Sequence, residues 1–178
     1  LQSPPATDEV DMALEDEAQA ALDAVQDDPT RALEQAAAVL SAAGCSPTAA
    51  VVARWAAGRA HQELGRLAEA CEWLHRAERD AAALGDGATG GRIAMSLSWA
   101  LMSAGDTAGA FAALDRADRV LTGTEHARVV MQRGLIQFQL GRLDDALASF
   151  DAARPVLRRG GDLVGEARLL LNRAAVAT

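Results

Sequence analysis

Residues 61–77 read HQELGRLAEACEWLHRA, residues 101–117 read LMSAGDTAGAFAALDRA, and residues 137–153 read QFQLGRLDDALASFDAA. Aligned on Gly65, Gly105 and Gly141, the segments lie 40 and 36 residues apart. Three further columns stay in step: Ala70, Ala110 and Ala146; Leu74, Leu114 and Phe150; Ala77, Ala117 and Ala153. A period of this length in helix-forming residues means stacked helical hairpins, because one two-helix unit cannot bury its apolar face alone. Each unit reads as helix A, a turn and helix B. The A helices are expected over 50–63, 91–103 and 126–139, the B helices over 67–84, 107–121 and 143–158. Glycine at the turn supplies the left-handed residue that ends helix A. The small Ala early in helix B lets the two helices approach, and the large residue four positions on fills the space between units.

The pattern extends to both flanks. Asp11 to Gln26 reads as a further helix A, Asp27, Asp28 and Pro29 as its turn, and Arg31 to Ala43 as its helix B, with Ala32 lying 38 residues before Ala70. Leu163 to Ala177 reads as a last helix A, with Asn172 placed 38 residues after Gly134 and no helix B behind it. The expected organisation is a tail over 1–10, disordered or a fragment boundary, then units over 11–47, 48–88, 89–124 and 125–161, and an unpaired or capping helix over 163–177. Leu1 in place of an initiator Met points to a processed chain or a fragment. The connections are read as GCSPT (44–48), GDGATGG (85–91), TGT (122–124) and RRGGD (158–162), all too short for an active-site lid.

Composition narrows the chemistry. Of 178 residues 42 are Ala, none is Tyr, and there are three Phe and three Trp, which favours closely packed helices over any sheet. All 17 basic residues are Arg and none is Lys, which removes the P-loop lysine, the Schiff-base lysine and the Ser-Lys pair together. The net charge is −8 and no basic stripe is present, so nucleic acid is not an expected partner. Charge is uneven: Asp8, Glu9, Asp11, Glu15, Asp16, Glu17, Asp23, Asp27 and Asp28 precede the first basic residue, Arg31. Cys45 and Cys71 match no paired spacing, and no run has the length of a membrane span or the character of a signal peptide. A cytoplasmic location without membrane partners is the expectation.

The columns resemble the tetratricopeptide repeat. That family carries a small residue in the middle of helix A, Gly at the turn, Ala early in helix B, a large residue four positions on and Ala three after that. Here those places hold Gly58, Gly65, Ala70, Leu74 and Ala77 in one unit, and Ser98, Gly105, Ala110, Leu114 and Ala117 in the next. A third unit has Gly134, Gly141, Ala146, Phe150 and Ala153. Two departures stand out. The units exceed the usual length of about 34 residues, and the places for an aromatic near the end of helix A hold His61, Leu101 and Gln137. The longer, Ala-, Arg- and Leu-rich units look like the repeats that precede caspase-like CHAT domains, or belong to large signalling proteins, in high-GC bacteria. The resemblance implies an all-α, right-handed superhelix of antiparallel hairpins, seldom catalytic and needing no cofactor. It also implies a protein or peptide partner, which includes another domain of the same full-length protein, on the concave wall of A helices.

With that register the wall carries Trp55, Arg59 and Gln62, then Met95, Trp99 and Met102, then Met131, Leu135 and Phe138, with Arg92 and Arg128 beside them. Thioether and aromatic side chains adapt to an apolar anchor, and guanidinium groups clamp a carboxylate. The same side chains serve equally as core between helices or as ion-paired surface, and the residues leave both open. Self-association through the terminal helices is the alternative to a working groove.

Three other patterns read as bland. Gly85 to Gly90 spells GxGxxG, but a dinucleotide fingerprint needs a strand in front and this one follows a helix B. Cys71 and His75 stand one turn apart without a third ligand or an orienting group, so neither a metal nor a nucleophile is indicated. Asp27 with Asp28 and Asp144 with Asp145 sit where a helix begins, which suits capping. No enzyme is expected.

Overall fold

The computed structural model describes residues 6–176. Among them lie nine helices and no strand: α1 (Ala6–Ala24), α2 (Pro29–Ser41), α3 (Pro47–Glu63), α4 (Leu67–Ala83), α5 (Gly87–Ser103), α6 (Thr107–Asp118), α7 (Gly123–Gln139), α8 (Leu143–Arg159) and α9 (Leu163–Val176). Four antiparallel hairpins, α1–α2, α3–α4, α5–α6 and α7–α8, stack in order and α9 follows as a lone helix A. Each B helix also packs on the next A helix, and successive A helices touch one another.

The turns explain why the stack is regular. Gly65, Gly85, Gly105, Gly141 and Gly161 have φ of 73°, 71°, 88°, 72° and 71°. In each case the glycine N–H bonds three residues back and the next N–H bonds five residues back, as in Gly65 N to Gln62 O at 3.0 Å and Arg66 N to His61 O at 2.9 Å. Both bonds satisfy carbonyls that the last turn of a helix leaves open. The residue after the glycine is at the same time the N-cap of the next helix. Asp86 and Asp106 accept from the N–H of Thr89 at 3.0 Å and Gly109 at 2.8 Å, whereas Arg66 and Arg142 cap with no side-chain bond. At two further helix starts the proline follows its cap: Asp28 before Pro29 and Ser46 before Pro47.

The same three-residue turn therefore joins helices within a hairpin and between hairpins. Helices α3, α4, α5, α7 and α8 are all 17 residues long, and α6 has 12. The unit is thus a helix plus a turn, 20 residues from one N-cap to the next at Ser46, Arg66, Asp86 and Asp106. The shorter spacing to the third unit comes from α6, which has lost about one turn of helix. A loss close to one turn preserves the buried face.

The columns pack as their sizes require. Ala32, Ala70, Ala110 and Ala146 are fully buried, as are Leu74, Leu114 and Phe150. In α2 the sizes are exchanged, with Ala36 in the column of Leu74 and Val39 in the column of Ala77, both buried. A Cβ on Gly58 would stand 2.6 Å from Leu74 Cγ, and one on Gly134 would stand 2.7 Å from Phe150 Cε1. These two glycines exist to admit the large residue of their own helix B.

Several boundaries differ from the sequence reading. Helix α1 begins at Ala6, ahead of Asp11, so residues 6–10 of the tail expected over 1–10 are helical, while 1–5 lie outside the described residues. Gly87 to Gly91, read as connection, form the first turns of α5, because Asp86 caps that helix and frees the following residues to join it. Pro47, Thr48, Gly123, Thr124, Arg158 and Arg159 likewise belong to helices. Helix α6 stops at Asp118 instead of 121. Asn172 is not the counterpart of Gly134. Counting from the caps at Thr122 and Asp162 puts Ala174 in that place, and the burial of Leu169 and Val176, counterparts of Val129 and Ile136, agrees.

Glycine positions give a paired test by urea unfolding. Gly134→Ala should destabilise by about 1–2 kcal/mol, since Phe150 is fully enclosed and cannot give way. Gly90→Ala, whose Cβ meets Ala81 Cβ at an ordinary 3.8 Å, should stabilise by about 0.5–1 kcal/mol through helix propensity alone.

Candidate functional site

The A helices together line one open trough of about 630 Å³. Its wall consists of Trp55, Arg59 and Gln62 on α3, Arg92, Met95, Ser96 and Trp99 on α5, Glu125, Arg128, Gln132 and Leu135 on α7, and Arg168 on α9, with Gln26 at one end. Eight residues singled out in the sequence meet there: Trp55, Arg59, Gln62, Arg92, Met95, Trp99, Arg128 and Leu135. Three do not. Met102 packs on the central core, and its Sδ accepts the Thr107 hydroxyl at 3.8 Å. Met131 and Phe138 pack against the C-terminal cluster around Phe150 and Leu157. Repeat residues Gly58, Ala70, Leu74, Ala77, Ala110, Leu114, Ala117, Gly134, Ala146, Phe150 and Ala153 lie in the packing between helices and leave the trough to other columns.

Hydrogen bonds fix much of the wall. Trp55 Nε1 donates to Ser96 Oγ at 2.9 Å, which ties α3 to α5 and holds the indole in place. Gln132 donates to the buried Ser98 hydroxyl at 3.4 Å, and Ser98 itself donates to the Met95 carbonyl at 2.7 Å. Gln26 donates to Glu63 at 3.1 Å. Arg92 reaches Glu125 at 3.5 Å, and Arg128 Nε meets Asp162 Oδ2 at 2.7 Å.

The remaining two cations are different. Arg59 and Arg168 make no hydrogen bond or ion pair with the described residues. Burial lowers the Arg59 pKa from its ordinary value, Glu63 one turn away opposes this, and the nearby Arg168 lowers it further. Arg59 stays cationic at neutral pH, since a guanidinium keeps its proton in proteins. Four guanidinium groups face Glu125 as the one carboxylate of the wall, in a chain whose net charge is −8. The trough therefore concentrates positive charge beside two half-buried indoles, the arrangement that attracts an anion carried on an apolar body.

Arg168, Glu125, Gln132, Ser96 and Gln26 were not among the sequence-derived wall residues. A signal for Arg168 existed: Arg92, Arg128 and Arg168 each stand six residues after the caps Asp86, Thr122 and Asp162. The false register through Asn172 hid it.

No known family profile matches this chain, and no curated protein matches it in sequence. Among solved structures, the crystal structure of BtubC (BKLC) from P. vanneervenii is similar over 97% of this chain and 84% of its own, with a TM-score of 0.66 and 14% identity. The fold is a tetratricopeptide-like helical repeat. At that identity the likeness concerns the fold alone.

In this TPR-like stack the other chemistry-bearing residues stand apart from the trough. Burial pushes the Cys71 thiol up, and Asp106 adds to the effect, which is the opposite of an activated nucleophile. Burial, followed by Arg66, holds the His61 imidazole below its usual range. No group of three or more His, Cys, Asp or Glu side chains among the described residues is placed to hold a metal. No helix among them is long and apolar enough to cross a membrane. Gly85 to Gly90 follow α4, with no strand before them. Asp28 caps α2 by accepting from Arg31 N at 3.0 Å, and Asp145 in the first turn of α8 pairs with Arg142 at 2.7 Å.

Asp162 links the trough to α9. It accepts from Gly165 N at 2.9 Å as the cap of that helix, and its other oxygen holds Arg128. The Arg128 bond first, then the Gly165 N–H, keep its pKa below the ordinary carboxylate value. A lowered folded-state pKa means that the stabilisation is complete above the unfolded value and is lost as pH falls through the folded one. Asp162→Asn keeps the cap and removes the charge. It should cost about 1 kcal/mol near neutral pH, Arg128 being half exposed, and next to nothing well below about pH 4, read from thermal melts across pH.

Proposed function

We propose that the chain is a protein-interaction module whose trough of A helices binds a peptide segment carrying an acidic group next to an apolar side chain. The observation that supports this best is the pair Arg59 and Arg168, two guanidinium groups without partners beside Trp55 and Trp99. An incoming carboxylate gains charge-assisted bonds there without displacing an existing ion pair. The indoles and Met95 supply the surface for its apolar neighbour. Partner recognition, with no covalent step, is the use that such a wall serves. The Ala-, Arg- and Leu-rich repeats further support a place as the regulatory part of a larger bacterial protein of the CHAT-associated or signalling kind.

Two of the three tryptophans line the trough, so their fluorescence reports occupancy. The test titrates synthetic peptides that hold one Trp-free apolar anchor, such as Leu-Leu, flanked by Glu in one series and by Lys in another. Glu peptides should bind with an affinity that falls as salt rises, and Lys peptides should not bind. Arg59→Ala, Arg168→Ala and Trp99→Ala should each weaken binding about tenfold or more while leaving helix content unchanged. Equal binding of the two series, or no effect of either arginine variant, would show that the trough does not select its ligand this way.

A further inference from the structure

Among the described residues, the junction between α6 and α7 is the one with neither a glycine turn nor a side-chain cap. The five glycine junctions return two N–H groups to two different carbonyls, and the helices after Asp28 and Ser46 start with a side-chain cap and a proline. After α6, by contrast, the N–H groups of Val120 and Leu121 both fold back on the single carbonyl of Ala117, at 3.1 and 2.9 Å. Thr122, the cap of α7, accepts no N–H through its side chain, and Gly123, with φ of 58°, stands after that cap instead of before it. The backbone device that fixes the angle between helices elsewhere is missing here.

Packing thins at the same place. The turn that α6 has lost leaves an open notch of about 160 Å³ between the ends of α4, α5 and α6, lined by Ala82, Gly87, Gly90 and the exposed Val120. Of the B helices, α6 has the slightest packing on the A helix that follows it. The core divides there too. Val129 and Ile136 are the buried α7 side chains that enter the central core, whereas Ala127 joins α8 and α9 in the separate cluster around Phe150 and Leu157.

Bonds along the wall of A helices show the same break. Trp55 to Ser96 ties α3 to α5 at 2.9 Å, and Arg128 to Asp162 ties α7 to α9 at 2.7 Å. Between α5 and α7 the links are Gln132 to Ser98 at 3.4 Å and Arg92 to Glu125 at 3.5 Å, at the long limit for such contacts. On the side facing α6, Arg133 meets Asp115 and His126 meets Asp118, each at 2.8 Å. The short bonds lie next to α6 and the long ones next to the trough.

We propose that the stack bends at this junction, with α7–α9 swinging as one body against α1–α6 about residues 119–123, and with Gln132–Ser98 and Arg92–Glu125 as the clasp that opens. Trp55, Arg59 and Trp99 stand on one body and Arg128, Leu135 and Arg168 on the other, so the swing sets the width of the trough. Apolar packing of Val129 and Ile136 keeps the bodies together, while the exposed ion pairs beside α6 contribute little each and exchange with water as the bodies move. No helix has to break, because the change in dihedral angles falls on the few residues between two helix ends. The hinge stands whether or not the trough takes a peptide.

Residual dipolar couplings of the backbone N–H groups, measured on the unmodified chain in a dilute aligned medium without peptide, test this. Alignment is fitted separately to α1–α2, α3–α4, α5–α6 and α7–α8. The first three hairpins should share one degree of order, and α7–α8 should fall below it by about a fifth or more. Replacing both clasp donors, Arg92→Ala with Gln132→Ala, should lower the α7–α8 value further and leave the first three equal. Both positions line the open trough, so circular dichroism should show unaltered helix content. One degree of order for all four hairpins, a step that falls at another junction, or no response to the double variant overturns the proposal whatever the peptide titrations give.

Discussion

Everything in this molecule depends on a turn in which the residue that ends one helix is followed at once by the residue that starts the next. The positive φ of the central glycine lets two backbone N–H groups fold back on the last carbonyls, and the following side chain, when it is Asp, accepts the first free N–H of the new helix. Two open carbonyls at one end and, where the cap is Asp, a free N–H at the other are satisfied within three residues. At these five junctions the turn is three residues long and its glycine φ nearly constant, so each joins two antiparallel helices in the same way. Equal helix lengths then bring equivalent columns into register without any long-range interaction to enforce it.

That regularity determines what the sequence discloses. The glycine columns and the Ala and Leu columns mark positions where only small residues, or only large ones, fit, so hairpin order and helix type could be read from Gly65, Ala70 and Leu74 and their counterparts. Boundaries were less legible where glycine serves two roles. Gly85 ends a helix, yet Gly87, Gly90 and Gly91 lie within the next one, and composition alone does not separate these uses. The face of an A helix was harder still. Each A helix has two apolar sides, one for its own B helix and one for the preceding hairpin, and periodicity does not say which large residue faces the open wall. In α7 the buried side takes Met131 and Phe138, leaving Arg128 and Gln132 to the trough.

The trough owes its charge to the same geometry. Arginines six residues after successive caps fall on one side of α5, α7 and α9, so like charges accumulate along the wall. Two of them are neutralised by Glu125 and Asp162, and Trp55 is braced by Ser96 across the helix interface. Arg59 and Arg168 are left over because the acids near them are engaged elsewhere: Glu63, one turn from Arg59, accepts from Gln26, and Asp162, within electrostatic reach of Arg168, accepts from Arg128 and the Gly165 N–H. The result is a positive, partly aromatic strip inside an acidic protein.

The dual-purpose turn has a consequence for how such a chain changes over time. Since the five glycine junctions are alike, a two-helix block from one A-helix cap to the next can be duplicated or lost with both neighbouring helix ends left intact, and α6 shows that even a single helical turn can be trimmed. The length of the array is therefore inherited almost independently of the residues that give its wall a specificity, and lineages are free to vary one without redesigning the other.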